Sequence, residues 1–334
     1  KVLACVSYPG YDNNRLANEM DERYYYKIYE NASTPLYNRA TQQLSAPGST
    51  FKPITIIAGM EENVITANTK ITCDGIFDKV SPHLKCWNHA GHGVVATAAL
   101  ALRHSCNDYL CEISYRLGSK GQRNFSDGQA LKVIQAYASL FHLDEKTGLE
   151  LGESMPQVTD QYAIPSAIGQ GTHNYSTVQL GRYVNTLANG GKAYYLTLIE
   201  RVGENKKEKE KIAEDNEVLE DKDIPGKEAP LRGDNISEDE ITLKKETWNT
   251  VHQGMEQYIK STGIFKNFPV SVAGKSGTAQ ESRQKPDHGL FIGYAPAEAP
   301  EISIAVRITN GYESANAVSC GKEILEYYFE EVSP

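Results

Sequence analysis

The sequence contains no apolar run of the ~18 residues that would span a bilayer. Its 334 residues begin at Lys1 with neither an initiator Met nor a signal peptide, so it reads as an excised piece of a longer protein. None of its six cysteines stands in the C-x-x-C spacing of a zinc site. Cys5, Cys73, Cys86, Cys106, Cys111 and Cys320 are scattered and read as reduced small hydrophobes, with a pairing of Cys73 and Cys86 across a small loop left open. His83, His89 and His92 share one loop without a carboxylate partner at helical spacing, and read as surface histidines rather than metal ligands. Positive charge is in deficit, with 34 Lys and Arg against 43 Asp and Glu and a net charge of -9, which argues against nucleic acid as a partner. Internal repeats are absent. Hydrophobic residues make up 40% of the chain, enough for one large domain or two smaller ones.

The most informative stretch is Ala46-Pro47-Gly48-Ser49-Thr50-Phe51-Lys52-Pro53, followed by the apolar run Ile54–Met60. Pro47 and Gly48 mark a turn, and the helical character beyond them places Ser49 at a helix start. Unpaired N–H groups and the positive end of the helix dipole lie there. Lys52 follows one turn later on the same face. A lysine desolvated by apolar neighbours can lose enough basicity to take the proton of an adjacent serine. The plainer alternative makes Ser49 a helix cap and Lys52 a solvated first-turn residue.

Val2–Ser7 reads as a buried strand, and the Tyr-rich stretch to Leu44 as short helix and loop. Ile71–Trp87 is turn-rich with room for a hairpin. Helices are expected over Val95–Arg103, Asp108–Leu117, Leu131–Phe141 and Thr177–Asn189 from apolar spacing. Tyr194–Val202 reads as a strand, 203–240 as a charged solvated loop, and Glu238–Ile259 as an amphipathic helix. Consecutive strands at Val270–Gln280, Gly289–Tyr294 and Ile302–Ile308, with hairpin-length links, imply antiparallel pairing, and Val318–Glu330 a closing helix.

Three short boxes occur in order: Ser49-x-x-Lys52 at a helix start, Ser105-Cys106-Asn107 in a break between helices, and Lys275-Ser276-Gly277-Thr278 on a strand. Decoys at Ser282-x-x-Lys285, Ser314-Ala315-Asn316 and Lys146-Thr147-Gly148 lack either the order or the local structure. With Ile168-Gly169-Gln170-Gly171 and Leu290–Pro296, this set resembles the penicillin-binding proteins of the monofunctional (class B type) D,D-transpeptidase kind, within the penicillin-recognising serine enzymes. The resemblance implies an α+β fold: a mainly antiparallel sheet of about five strands flanked by helices, plus an all-helical subdomain. It implies one domain over 1–334, with 1–48 and 190–334 forming the sheet part, 49–189 the helical part and 203–240 an insertion. A further strand before Val2, usual in the family, is missing.

The roles implied are specific. Ser49 is the nucleophile and Lys52 its general base. Ser105 relays a proton to the leaving amine, and Asn107 holds Lys52 and a substrate peptide group. Lys275 supplies positive charge, the hydroxyls of Ser276 and Thr278 suit a substrate carboxylate, and Gly277 admits the substrate backbone. The oxyanion hole is formed by the N–H groups of Ser49 and Thr278. Gln170 and His173 brace a loop or touch substrate, and Trp87 reads as packing.

Glu-x-x-Leu-Asn, the water-activating segment of class A β-lactamases, is absent, as is Tyr-Gly-Asn, and the second box is Ser-x-Asn rather than Ser-x-Val. The resemblance therefore implies cross-linking of peptidoglycan stem peptides ending in D-Ala-D-Ala, with slow turnover of β-lactam antibiotics. A D,D-carboxypeptidase, a serine β-lactamase and a β-lactam sensor are the alternatives. No cofactor is expected. Cell-wall synthesis membrane proteins are the implied partners, at the extracytoplasmic face of a bacterial membrane, held by an N-terminal anchor outside this chain.

Overall fold

The computed structural model describes residues 1–17, 19–199, 236–280 and 284–332. At its centre lies helix α2 (Lys52–Glu61), in which Lys52 to Met60 are all buried. A helix apolar on every side must be wrapped by other elements. Here α4 (Asn107–Ser119), α5 (Asp127–Leu140) and α8 (Lys245–Thr262) do so, and α3 (Ala98–Arg103) packs on α8. The start signals are those that read as helix caps. Thr97 accepts from Leu100 N and Ser126 from Gln129 N, and Ser176 with Gln179 forms a reciprocal capping box for α7 (Thr177–Ala188). Gly263 ends α8 at φ +70°. Among the described residues, a short α1 (Glu22–Tyr29) and a single-turn α6 (Ala163–Ser166) complete the α-helices before α8.

The main sheet has three antiparallel strands in the order β7 (Ala273–Ala279), β8 (His288–Ala295), β9 (Ile302–Ile308). All eight residues of β8 are buried, as befits the middle strand. The last helix, α9 (Ser314–Tyr327), and α7 cover its faces. Among the described residues β7 pairs only with β8, so its other edge is unpaired. Smaller two-stranded pairs join β1 (Ile71–Cys73) to β4 (Gly93–Val95), β2 (Ile76–Phe77) to β3 (Leu84–Lys85), and β5 (Lys192–Tyr194) to β6 (Ile236–Glu240).

The α+β class and the antiparallel order agree with the sequence reading, but several details do not. The main sheet has three strands among the described residues, not five. Val2–Ser7 is not a strand: Leu3 and Val6 face outward at 61% and 77% exposure, and the stretch is tied by Val2 N to the Thr197 carbonyl and by the Ser7 hydroxyl, which accepts from Arg39 N and donates to the Tyr37 carbonyl. The strand expected over Tyr194–Val202 ends at Tyr194, with residues from 200 outside those described. Most of the 203–240 stretch also lies outside them, while 236–240 is β6 rather than loop or helix, so α8 begins at Lys245.

Candidate active site

Ser49 sits in a single 3-10 turn, Gly48–Phe51, that runs directly into α2. The turn is wedged between two backbones. Gly48, at φ +52°, donates its N–H to the Gly169 carbonyl at 2.9 Å, and a Cβ on Gly48 would meet the Thr278 carbonyl at 2.4 Å. A Cβ on Gly277 would meet the Pro47 carbonyl at 2.6 Å. Only glycine allows so close an approach, so the first and third boxes are in backbone contact. Gln170 Nε2 adds a hydrogen bond to the Thr278 carbonyl at 3.3 Å.

Lys52 is fully buried. Its Nζ donates to Ser105 O at 2.7 Å, Ser105 Oγ at 3.1 Å and Asn107 Oδ1 at 2.6 Å. Burial pushes its ammonium down to about 8, with the sulfurs of Cys106, Cys86 and Cys111 opposing the shift. Ser105 holds the left-handed region at φ +48°, a costly conformation for a serine, and this turn between α3 and α4 aims both its oxygens at Lys52. Asn107 opens α4 and donates Nδ2 to the Lys85 carbonyl at 3.2 Å. The first two boxes thus meet at one amine. None of the Lys52 hydrogen bonds goes to Ser49, which lies one turn back on the same helical run.

On β7, Lys275 is buried, with no carboxylate partner among the described residues. Its Nζ donates to Ser276 O at 3.1 Å and stands 4.0 Å from the centre of the Tyr258 ring. Burial, and secondarily the charge of Lys52, hold its pKa well below the usual lysine value. Tyr258 OH also hydrogen-bonds Ser276 Oγ, which in turn donates to Ser314 Oγ at 3.1 Å. The Ser276 hydroxyl is therefore already partnered, whereas Thr278 is exposed. The site gathers the Ser49 turn, a buried amine of lowered basicity bonded to the Ser105 hydroxyl and Asn107, and a lysine on β7.

The family model described as Penicillin binding protein transpeptidase domain matches residues 1–326. The chain belongs to this family. Transpeptidase-domain relatives include the peptidoglycan D,D-transpeptidase MrdA of Haemophilus influenzae, 27% identical over 100% of this chain and 52% of that protein. The peptidoglycan D,D-transpeptidase PbpA of Mycobacterium tuberculosis is 26% identical over 98% of the chain and 64% of its own length. The chain spans about half the length of the first of these relatives. Among solved structures, Pseudomonas aeruginosa PBP2 in complex with WCK 5153 shares the fold at a TM-score of 0.79 and 24% identity, over 98% of this chain and 70% of that one. Penicillin-binding protein A from M. tuberculosis, as an imipenem acyl-enzyme complex, does so at 0.75 and 22%, over 98% and 71%.

Other side chains of the transpeptidase domain fall into place around the boxes. His173 is a brace: it is buried against Phe51, its Nδ1 shares a hydrogen bond with Tyr175 OH at 2.7 Å, and burial lowers its pKa to about 3. Trp87 is not core packing. It is 61% exposed and donates Nε1 to the His104 carbonyl at 2.9 Å. The Ser314 decoy reaches the site through Ser276, while Ser282 lies outside the described residues. Tyr258 and Ser314 escaped sequence reasoning. Only the packing of α8 and α9 on β7 gives them meaning. Cys73 and Cys86, whose pairing the sequence leaves open, are free thiols, and their Sγ atoms lie with that of Cys106 and a His92 nitrogen within 4.8 Å of one another, donors of the type that hold soft divalent metals.

Proposed function

We propose that this domain is a serine D,D-transpeptidase that cross-links peptidoglycan stem peptides through a Ser49 ester. The observation that carries the reading is the buried Lys52 amine, anchored by Ser105 and Asn107 one turn from Ser49 and weakened to about 8.

A donor peptide ending in D-Ala-D-Ala would lie along the unpaired edge of β7, where Gly277 leaves its backbone room, and its terminal carboxylate would meet Lys275 and Thr278. Ser49 Oγ attacks the carbonyl carbon of the D-Ala–D-Ala bond, and its proton passes to neutral Lys52 Nζ. The N–H groups of Ser49 and Thr278 take the oxyanion; losing one such donor costs ~10²–10³ in rate. The C–N bond breaks as the proton moves through Ser105 Oγ to the leaving amine, and free D-Ala departs. An amine of a second stem peptide then attacks the ester, its proton returns by the same route, and Ser49 is regenerated. A β-lactam offers the same carbonyl, but its opened ring stays attached, so the ester persists. Ser276, bonded to Tyr258 and Ser314, orients Lys275 and the strand rather than meeting the carboxylate alone.

The relatives named as peptidoglycan D,D-transpeptidases support the reading, as does a structure of Helicobacter pylori PBP2 in complex with MreC for a cell-wall assembly partner. We place the domain on the extracytoplasmic face of a bacterial membrane, tethered by sequence beyond this chain. Mass spectrometry after incubation with benzylpenicillin tests the activity. A lasting adduct on Ser49, absent in Ser49→Ala, is expected. Rapid return to unmodified protein with hydrolysed drug would assign a β-lactamase instead.

A further inference from the structure

Taking Ser49 as the acylated nucleophile proposed above, we infer that the Gln170 side chain caps the donor-peptide edge of β7, holding the Thr278 carbonyl in the place of a substrate amide until the peptide displaces it. Gln170 Nε2 donates to the Thr278 carbonyl at 3.3 Å. Thr278 presents both of its backbone groups to the turn that carries Ser49: a Cβ on Gly48 would meet its O at 2.4 Å and its N at 3.0 Å. An extended residue points its N–H and C=O the same way, towards one neighbour. The oxyanion donor and the capped carbonyl are thus two halves of one residue. They lie on the edge of β7 that no strand covers among the described residues.

The register of a donor peptide follows. Its reacting carbonyl belongs to the penultimate D-Ala and takes the Thr278 N–H, while its terminal carboxylate lies back towards Lys275. The peptide therefore runs antiparallel to β7. Residues facing each other in a hydrogen-bonded antiparallel pair exchange both N–H···O bonds. The N–H of the penultimate D-Ala must then reach the Thr278 carbonyl, the atom that Gln170 holds. A carbonyl oxygen has two lone pairs, but Gly48 stands against one side of this one, where not even a methyl group would fit. One N–H donor leaves as the other arrives, and no covalent bond changes.

What moves is a side chain, not the loop. Gly169 gives its carbonyl to Gly48 N at 2.9 Å, and at φ +77° a Cβ on it would meet the Gly48 carbonyl at 1.8 Å. Gly169 N and Gln170 N close a turn onto the carbonyls of Ser166 and Pro165 at 2.9 and 3.1 Å, and Thr55 on α2 donates to the Ala167 carbonyl at 2.7 Å. The Gln170 backbone is therefore fixed to the Ser49 turn, and its half-buried side chain crosses to β7 alone. At rest the cap protects the enzyme, because an uncovered strand edge pairs with any extended chain. A bonded carbonyl admits only a chain that brings an N–H to the same point. Surrendering one such bond within reach of water costs a factor of about two to ten in binding. Gln170 acts through Thr278 and is a positioning residue.

The test follows Ser49 acylation by mass spectrometry with two lactams. Benzylpenicillin carries an acylamino N–H in the position of the penultimate D-Ala amide; imipenem carries a hydroxyethyl group there instead. Benzylpenicillin must displace Gln170 and imipenem need not. In Gln170→Ala and Gln170→Met the ratio of the benzylpenicillin rate to the imipenem rate should rise at least about threefold. Equal changes in both rates would make Gln170 a plain brace and overturn the inference, as would a lowered ratio. A second readout needs no acylation. Ser49→Ala protein is titrated with diacetyl-Lys-D-Ala-D-Ala, and the side-chain amide NMR signals of Gln170, assigned by their loss in Gln170→Ala, should move towards those of a solvent-exposed glutamine. Signals that stay while the Thr278 backbone amide shifts overturn the displacement. Absence of any Ser49 adduct with either lactam in the unaltered protein would instead overturn the transpeptidase reading, and the cap with it.

Discussion

The depressed basicity of Lys52 gives a quantitative pH prediction. An ordinary lysine near 10.4 is neutral in about one molecule in 2,500 at pH 7. At about 8, Lys52 is neutral in about one in ten. The second-order rate of acylation by a fluorescent penicillin should therefore rise roughly tenfold per unit from pH 6 and level off with a midpoint near 8. The same shift bears on stability. A base whose folded pKa is lowered is disfavoured in its charged form by folding, and this cost is fully present below pH 8. Between pH 8 and about 10.4 the folded state has lost the proton while the unfolded state keeps it, so stability rises with pH through that window. Lys52→Met should abolish acylation and stabilise the fold at pH 7 by up to ~3 kcal/mol of relieved desolvation less the lost hydrogen bonds, read as a raised melting temperature. Its advantage should shrink as pH climbs from 8 to 10. A flat acylation profile from pH 6 to 9, or a midpoint near 10, would refute Lys52 as the base, as would Lys52→Met melting below the unaltered protein throughout.

Two further predictions concern β7. Tyr258→Phe keeps the ring beneath Lys275 and loses the bond to Ser276, so acylation should fall about fivefold (~1 kcal/mol). Tyr258→Leu also removes the cation–π contact, worth ~2 kcal/mol when desolvated, and should cost about 30-fold or more; equal rates for the two variants would dismiss the ring. Gly277→Ala would drive a methyl group against the Pro47 carbonyl and should push the Ser49 turn away from β7, cutting acylation at least tenfold at nearly unchanged helix content by circular dichroism.

What could be read in the sequence was what depends on local spacing. The i, i+3 relation of Ser49 and Lys52, the helix break at Ser105 and the strand character of β7 are each written in a few neighbouring residues. The three boxes join by resemblance to a known order, and the fold brings Lys52, Ser105 and Asn107 together. Features set by distant packing were not legible. Val2–Ser7 has strand composition but no partner strand among the described residues, so its alternate side chains face solvent. Tyr258 looks like any residue of an amphipathic helix until α8 is laid against β7. The Cys and His donors come from four segments whose separations match no single short pattern, and convergence alone reveals them.

The Lys52 amine is planted in α2, every residue of which from Lys52 to Met60 is shut away from water. Natural variation therefore has little freedom to shift this amine without collapsing the interior. Lineages under selection by a toxic substrate mimic would adjust less enclosed positions instead, such as Gln170, Trp87 and Thr278. Those positions, more than Lys52 and its partners, are where susceptible and tolerant forms of this domain would be told apart.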